Sequence, residues 1–471
     1  MELDWIEETG WESWLGAGGL ITVAVVTVAL LLVMVMKLKI HAFLALIIVS
    51  LLTAVVAGIP AGQVVPTMLF GFGDTLSNVA LLVAIGAMLG AMVETSGGAR
   101  ALAEWMISLF GEKRAPFALG VAALFIGFPI FMDAAFVLMV PIVYAVARRL
   151  GGNLLAFGIP VAAALSVMHV YLPPHPGPVA ATAFLEANLG YVLLLGLVLA
   201  FPTWYVSGHL WGKVVSNRFR INVPETAFAG LTGDEEEVEN PPAPWTIMLI
   251  LILPLILILL NTGFDALGSV GAVDPDSTIV QAMRMLGETP IALLITALFT
   301  VIVLGFRRGK SGTTIEKTMD NALGPVCAVI LITGAGGMFG GVLQATGIGD
   351  ALADSLSDLG IPLILAAYLI AVALRLAQGS ATVALTTAAA LVAPGIITGG
   401  FSPFETACMV LALAAGSVFA GHVNDSGFWL VGRLLDMDVK TTLRVWTVQQ
   451  AIESVVAFAM VLAIYGVATL F

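Results

Sequence analysis

The chain has 471 residues, of which 59% are apolar and only 11% are charged. Soluble domains carry about 25% charged residues, whereas a helix that crosses a bilayer needs about 20 apolar residues in a row. Many runs in this chain reach that length. The formal net charge of −12 and the lack of a basic patch argue against a nucleic-acid partner. The composition predicts a multi-pass protein of the plasma (inner) membrane.

The acidic residues concentrate in two segments, the N-terminal tail at residues 1–16 and the run at 234–239. The tail lacks a basic n-region, so the first apolar run is expected to be a retained helix rather than a cleaved signal peptide. Two solvated acidic segments explain the charge. A high-salt host is the alternative, because excess surface acid keeps proteins soluble.

Apolar runs divide the chain into two halves, 17–212 and 244–471, joined by an acidic, proline-containing linker at 213–243. The first half contains the runs 17–36, 41–58, 66–93, 115–146, 153–188 and 190–212. The second half contains the runs 244–260, 290–306, 321–344, 362–398, 403–435 and 441–471. Cys327 and Cys408 both lie in apolar stretches and are expected to be small core residues, not a disulfide or a metal pair.

The basic residues predict the topology. They cluster at Lys37/Lys39, Lys113/Arg114, Arg148/Arg149, Lys213/Arg218/Arg220, Arg307/Arg308/Lys310 and Arg433/Lys440/Arg444. If every cluster is cytoplasmic, the tail at 1–16 is extracytoplasmic and the linker at 213–243 is cytoplasmic. The run 115–146 then enters and leaves the membrane on the cytoplasmic side, and the run 362–398 enters and leaves on the outside. Both are predicted to be re-entrant helical hairpins. The fold predicted is all-α, with two inverted-topology repeats that each contain a hairpin and a broken transmembrane helix.

A weak internal match accompanies this order of elements. Residues 84–103 and 334–353 are identical at seven of twenty positions. Segments rich in Gly and Ala match by chance rather easily, so the order of elements carries more weight than the identity.

Two polar breaks interrupt apolar runs at corresponding places in the halves, at residues 169–178 and 422–427. Such backbone is tolerated inside a bilayer only where it lines a cavity or is buried in protein, and paired breaks point to a transporter's substrate site. In the first break, His175 between prolines is a candidate proton relay or a structural histidine. In the second, Asn424, Asp425 and Ser426 form a dense polar cluster.

The hairpin tips add further candidates. At the first tip, 127–133, Asp133 is the ionisable residue, before a half-helix expected to start at Ala134. Asp133 is either a helix N-cap or a proton-coupling group, since an acid in the membrane is expensive and functional by default. A half-helix N-terminus there would stabilise an anion.

The second tip offers Gln378, Gly379, Ser380 and Thr382, which are neutral hydrogen-bonding groups suited to a hydroxylated anion. Ser380 or Thr382 is alternatively a plain cap. Arg375, one turn earlier, supplies positive charge or forms a structural ion pair. No metal-ligand spacing or nucleotide motif is present, so no metal and no cofactor are expected.

Several of these stretches resemble the gluconate permease family of proton symporters. The resembling residues are 172–178, 378–387 with Ala393 and Pro394, 422–430, and 86–90 with 96–98. The resemblance implies an ion-transporter fold with two inverted repeats and two hairpins, and a homodimer. It also implies proton-coupled uptake of gluconate or a related small organic anion, and it makes the chain a transporter rather than an enzyme.

This chain departs from the family at the first tip. Familiar members tend to carry Phe-Phe-Glu where this sequence has Phe131, Met132 and Asp133, so the acid is shortened by one methylene and the exact substrate is open. A D-serine or other hydroxy-acid symporter is the alternative. A channel or an intramembrane hydrolase has less support, and sodium in place of protons is not excluded.

The sequence therefore gives two sets of candidates. The candidate substrate-binding residues are Met132, Asp133, His175, Gly177, Gln378, Gly379, Ser380, Thr382, Asn424, Asp425 and Ser426. The candidate proton-coupling residues are Asp133, His175 and Asp425.

Overall fold

The computed structural model describes residues 4–223, 241–269, 272–348, 351, 362–422 and 425–468. The helices before the linker are α1 (Asp4–Thr9), α2 (Ala17–Leu32), α3 (Ala42–Val56), α4 (Ala61–Glu94), α5 (Gly98–Phe110), α6 (Ala115–Ile126), α7 (Met132–Leu150), α8 (Leu154–Tyr171), α9 (Pro176–Phe184), α10 (Leu189–Trp204) and α11 (Trp211–Arg218). The helices after it are α12 (Pro244–Ser269), α13 (Thr278–Gly287), α14 (Thr289–Thr300), α15 (Gly312–Ala345), α16 (Leu363–Gln378), α17 (Ala381–Thr398), α18 (Pro403–Val418), α19 (Ser426–Leu434), α20 (Val439–Thr442) and α21 (Val448–Ala468).

The described part of the chain is all-α, as the sequence predicts. Among the described residues, seven helical stretches are long and apolar enough to cross a bilayer, namely Ala61–Glu94, Leu154–Phe184, Leu189–Arg218, Pro244–Phe264, Thr289–Arg308, Ala381–Thr398 and Val439–Val467. Large apolar side chains are exposed on the outer helices, for example Val55 on α3 and Leu298 on α14. Lipid can solvate such side chains, so their exposure is compatible with a membrane protein.

Both runs predicted to be hairpins consist of two helices with a short break between them. In the first pair, α6 and α7 are separated by residues 127–131, and in the second, α16 and α17 are separated by Gly379 and Ser380. The predicted start of the second half-helix at Ala134 is wrong by two residues, because α7 already begins at Met132. Pro116 lies in the first turn of α6, where a backbone N–H has no partner within the helix, so the N–H that proline lacks costs no hydrogen bond.

The two broken helices lie at the centre of the molecule. Helix α8 is buried along nearly its whole length, and α18 is buried from Thr406 to Val418. Each is followed by a break and a nine-residue helix, α9 in the first half and α19 in the second. The first break is buried in this core, and the described residues of the second break are mostly half-buried. Contacts of His175 with Gly127 and of Asp425 with Arg375 bring the two breaks close to the residues between α6 and α7 and to the end of α16.

Two helices of 34 residues, α4 and α15, pack directly against each other. Their backbones approach at Gly71, Gly337 and Gly341, where a Cβ on Gly71 would overlap the Gly337 carbonyl. Small residues at such crossings allow the close approach that membrane helices need. Farther along α4, Gly86 and Gly90 face Pro174 and the Pro129 carbonyl in the same way, so α4 contacts both the first break and the first tip.

Some sequence expectations need correction. Helices α5 and α13 fall between the predicted runs, and α15 begins at Gly312, well before the predicted run at 321–344. The N-terminal tail contains α1 and is partly packed, with Trp5 and Trp11 against the cluster of Ile59, Val64 and Met338. Cys408 is buried as expected, whereas Cys327 is exposed. The run at 234–239 lies outside the described residues.

Candidate substrate site

A cavity of about 380 Å³, which we call the central cavity, lies where the two helix pairs meet the broken helices. Its walls come from the starts of α7, α17 and α19, the last turns of α8, α16 and α18, the middle of α15, and the segment that leads into the first turn of α21. The polar and charged side chains on these walls are Asp133, Ser166, His169, Thr333, Arg375, Ser380, Thr382, Thr386, Asp425, Ser426, Trp446 and Gln450. Both halves of the chain therefore contribute to one site, as paired breaks predict.

The first tip presents an uncapped helix N-terminus to this cavity. Phe131 is the N-cap of α7 and makes no side-chain capping bond, so the first backbone N–H groups of the helix have no side-chain acceptor. Asp133 lies in the first turn of α7 and is exposed on the cavity wall. The interpretation of Asp133 as an N-cap is therefore wrong. Within the described part of the chain, its carboxylate accepts no hydrogen bond.

The second tip is a tight reversal built on Gly379. Its φ of 82° is left-handed, a conformation that glycine adopts without strain, and it ends α16. Ser380 is the N-cap of α17, where its hydroxyl accepts from the Val383 N–H at 3.3 Å. Ser380 thus caps the helix, as one interpretation of the sequence expects, and it also lines the cavity together with Thr382.

The second break brings a third helix N-terminus to the same cavity. Asp425 caps α19, where its Oδ1 accepts from the Gly427 N–H at 3.0 Å, and Ser426 and Gly427 line the wall. Helices α7, α17 and α19 thus all begin at the cavity. Each N-terminus carries about half a positive charge, and that of α7, which no N-cap side chain bonds, also offers free N–H groups, so the cavity favours an anionic group.

One guanidinium connects the second tip to the second break. Arg375 is only 2% exposed, and its Nη2 lies 2.6 Å from Asp425 Oδ2 and 3.2 Å from Gln450 Oε1. Its Nη1 donates to the Gly379 carbonyl. A Cβ at position 421 would overlap this guanidinium, so Gly421 leaves the room that the ion pair occupies. Arg375 therefore forms a structural ion pair, as one interpretation of the sequence expects, and it also lines the cavity.

The network continues into the core through residues that the sequence patterns did not single out. Gln450 Nε2 donates to Ser166 Oγ at 2.9 Å, and Ser166 Oγ donates to Glu453 Oε1 at 3.1 Å. Glu453 is completely buried, and its other carboxylate oxygen accepts from Gln449 at 2.9 Å. One feature of the sequence could have identified these residues, namely the dense polar stretch 447–454 inside the apolar run 441–471. Polar and ionisable residues in a membrane helix are rare and usually functional.

His175 lies behind the first tip and does not line the cavity. Its Nε2 is 2.7 Å from the Gly127 carbonyl, and its Nδ1 is 3.2 Å from Nδ1 of His169, which does line the cavity. A carbonyl only accepts, so Nε2 of His175 carries a hydrogen. A neutral His175 then accepts at Nδ1 from His169. The cavity therefore reaches His175 through His169, which is not among the residues predicted from sequence to form the site.

The structure brings most of the predicted site residues together. Met132, Asp133, Ser380, Thr382, Asp425 and Ser426 line the central cavity. Gly177 is near it, because a side chain there would contact Leu385 and the backbone of Thr382 on α17. Gln378 is the last residue of α16, and its side chain is outside the described part. Asn424 also lies outside the described residues.

With this geometry established, comparison with known proteins decides the family. The sequence matches the model of the GntP family permeases over residues 19–467. This chain belongs to the GntP family. It is 37% identical over 446 residues to a gluconate permease of Pseudomonas aeruginosa, covering 94% of this chain and 97% of the relative. It is 36% identical over 437 residues to the inner membrane permease YgbN of Escherichia coli, covering 91% and 94%.

Solved structures agree on the architecture. The YdaH transporter of Alcanivorax borkumensis superposes with a TM-score of 0.65 at 15% identity, covering 91% of this chain and 99% of that one. MtrF of Neisseria gonorrhoeae gives a TM-score of 0.63 at 16% identity, covering 91% and 96%. At this identity the likeness concerns the fold alone. The role follows from the family instead, because membership of the GntP permeases makes this chain a multi-pass inner-membrane transporter and not an enzyme.

Proposed function

We propose that this GntP permease carries gluconate or a related small hydroxylated monocarboxylate into the cell together with protons. The observation that carries the proposal is one cavity in which three helix N-termini meet a carboxylate, Asp133, without a hydrogen-bond partner among the described residues. The N-termini favour a substrate carboxylate. The hydroxyls of Ser380, Thr382 and Ser426 both donate and accept, as a polyol chain requires. The names of the relatives, gluconate permease and L-idonate transporter, support the substrate class.

Proton coupling follows from the charges on the cavity wall. Arg375 is already paired with Asp425, so an ionised Asp133 leaves a net negative charge in a cavity of about 380 Å³. An anionic substrate and this carboxylate repel each other, and protonation of Asp133 removes the repulsion. Binding of substrate and proton therefore strengthen each other, and this linkage is reciprocal. Asp425 is a less suitable coupling group because Arg375 compensates its charge, and His175 acts only through His169.

Alternating access would use two inverted repeats with re-entrant hairpins. An ion pair of 2.8 Å joins Glu112, before α6, to Arg149, at the end of α7, which supports a hairpin that enters and leaves on one side. On that same side, Asn153 donates to the Ser216 carbonyl and Tyr144 to the Leu434 carbonyl. These contacts support one common side, the cytoplasm, for the basic clusters of 148–149, 213–220 and 433–444. The tail at 1–16 would then be extracytoplasmic, and a homodimer is the assembly that the family resemblance implies.

Uptake by the purified protein in liposomes tests the proposal. An inward pH gradient should drive accumulation of labelled gluconate, and substrate addition should carry protons inward at a rate that sodium does not change. Unlabelled sugar acids should compete, whereas D-serine should not. Excess gluconate should also stabilise the folded protein by ~2.7 kcal/mol at a hundredfold excess over Kd. Accumulation of D-serine but no sugar acid would overturn the substrate, and accumulation driven only by a sodium gradient would overturn proton coupling.

A further inference from the structure

A second cavity lies away from the central one, between the start of α6 and the end of α10. We call it the basic cavity. It has a volume of about 290 Å³, and its walls include Lys113, Arg114, Phe117, Tyr205, His209 and Lys213. It shares no lining residue with the central cavity. The proposed transport mechanism makes no use of it.

The charge on its walls has one sign. Lys113, Arg114 and Lys213 are cationic, and no carboxylate lies among the described residues that line it. Glu112, the neighbouring acid, is paired with Arg149 at 2.8 Å and is not part of the wall. Arg114 is also the N-cap of the twelve-residue helix α6, so the partial positive charge of that helix end lies here as well, although the Ala115 N–H already donates to the Glu112 carbonyl and Pro116 has no N–H.

A buried histidine forms part of the wall of the basic cavity. His209 is only 7% exposed, lines the basic cavity, and has no hydrogen-bond partner at its buried Nδ1 within the described structure. Its ring is fixed by Phe117, edge-on at 5.2 Å between centroids, and by Tyr205, stacked at 5.4 Å. It lies in a π-helical turn, Tyr205–Leu210, one of four such segments in the described chain. A buried polar atom without a partner is costly and calls for one.

We propose that the basic cavity binds a phosphate group. Three cations, a helix N-terminus and a histidine suit a compact oxyanion that carries several acceptor oxygens. Their summed positive charge is larger than the single negative charge of a carboxylate, so a phosphate group matches it better. The volume suits a small headgroup rather than a large cofactor. The aromatic walls and the exposed apolar side chains of Phe201, Leu210 and Val214 nearby on the chain suit the glycerol and acyl portions of an anionic lipid. A free phosphate ester from solution shares the same chemistry.

Full-length protein, stripped of lipid in detergent, is the material for the test. Native mass spectrometry measures how much phosphatidylglycerol the protein retains compared with phosphatidylcholine. Thermal melting measures how far sn-glycerol 3-phosphate and inorganic phosphate raise the melting point. The variants are Lys113→Gln/Lys213→Gln and His209→Phe, which keeps the ring packing and removes the nitrogens. The control, Arg307→Gln/Lys317→Gln, removes two exposed cations outside the cavity.

We expect the double variant to bind about thirtyfold more weakly and His209→Phe about tenfold more weakly, with the control unchanged. Loss confined to phosphatidylglycerol identifies a lipid site, and loss confined to the soluble phosphates identifies a solute site. If the double variant fails to fold, His209→Phe decides alone. Equal binding by all variants, or no binding by the unmodified protein, overturns the proposal. Since the readout is binding rather than transport, its outcome is independent of whether gluconate is the substrate.

Discussion

Arg375 and Asp425, fifty residues apart in the chain, form a 2.6 Å ion pair that joins the end of α16 to the start of α19. Both terminal nitrogens of the guanidinium are used, since they also donate to the Gly379 carbonyl and to Gln450. The pair therefore fixes three elements of the central cavity relative to one another. Any motion that opens the cavity on one side must keep this link or break it at a considerable energetic cost.

Removing the charge of Asp425 should destabilise the fold. Asp425→Asn keeps the size of the side chain but leaves the buried Arg375 without its counter-ion, which costs about 3 kcal/mol. A melting curve of the purified variant measures this, with Asp276→Asn as the control because Asp276 is exposed. A melting point equal to that of the control would mean that the ion pair contributes nothing to stability.

Asp133→Asn should separate transport from proton coupling. The amide keeps the size and hydrogen-bonding capacity of the side chain but cannot titrate, so pH-driven accumulation of gluconate should be lost. Exchange of labelled for unlabelled substrate should persist in part. Asp133→Glu restores the acid typical of the resembling family and should keep partial accumulation. If Asp133→Asn still concentrates gluconate under a pH gradient alone, the coupling group is the His169–His175 pair or Asp425.

The hydroxyl of Ser166 should matter for transport because it bridges Gln450 and Glu453 at 2.9 and 3.1 Å. Ser166→Ala removes one hydrogen bond from the buried carboxylate of Glu453. It also frees the side chain of Gln450, which accepts a hydrogen bond from Arg375. We expect gluconate affinity to fall about tenfold. Ser417→Ala is the matched control, since Ser417 is equally buried but bonds only to the carbonyl of Ala414 in its own helix. Similar losses in both variants would argue against a role for the bridge.

The close packing of α4 on α15 should make Gly71 sensitive to the smallest substitution. Gly71→Ala forces a methyl group into the Gly337 backbone, whereas Gly73→Ala, two residues away on α4, meets no atom within 4 Å. We expect Gly71→Ala to lower the free energy of unfolding by ~2 kcal/mol and Gly73→Ala to leave it nearly unchanged. Equal melting points for the two alanine variants would mean that the helices do not pack as described.

Accessibility of single cysteines should establish the orientation of the hairpins. In a background without Cys327 and Cys408, a membrane-impermeant thiol reagent should label cysteines at Arg149 and Arg308 from the cytoplasm. A cysteine at Asp276 should be labelled from outside. Labelling of the Arg149 position from outside would contradict the re-entrant hairpin, whatever the substrate proves to be.

The sequence by itself determined the class of protein and the elements of its site. Long apolar runs have one stable form in lipid, the helix, because every backbone polar group must be bonded internally. Gly379, Ser380 and the polar breaks revealed where those helices stop, since their chemistry disfavours a continuous helix. These local rules located six of the cavity-lining residues, among them Asp133, Thr382 and Asp425.

Only the tertiary structure decided which distant groups share the cavity. The ion pair of Arg375 with Asp425, the bridge from Gln450 through Ser166 to Glu453, and the contact of His169 with His175 all depend on helix packing. No local pattern specifies such partners, because side chains far apart in sequence meet only after the helices cross. For the same reason His175, prominent in the sequence, lies behind the site, while His169 and Gln450 line it.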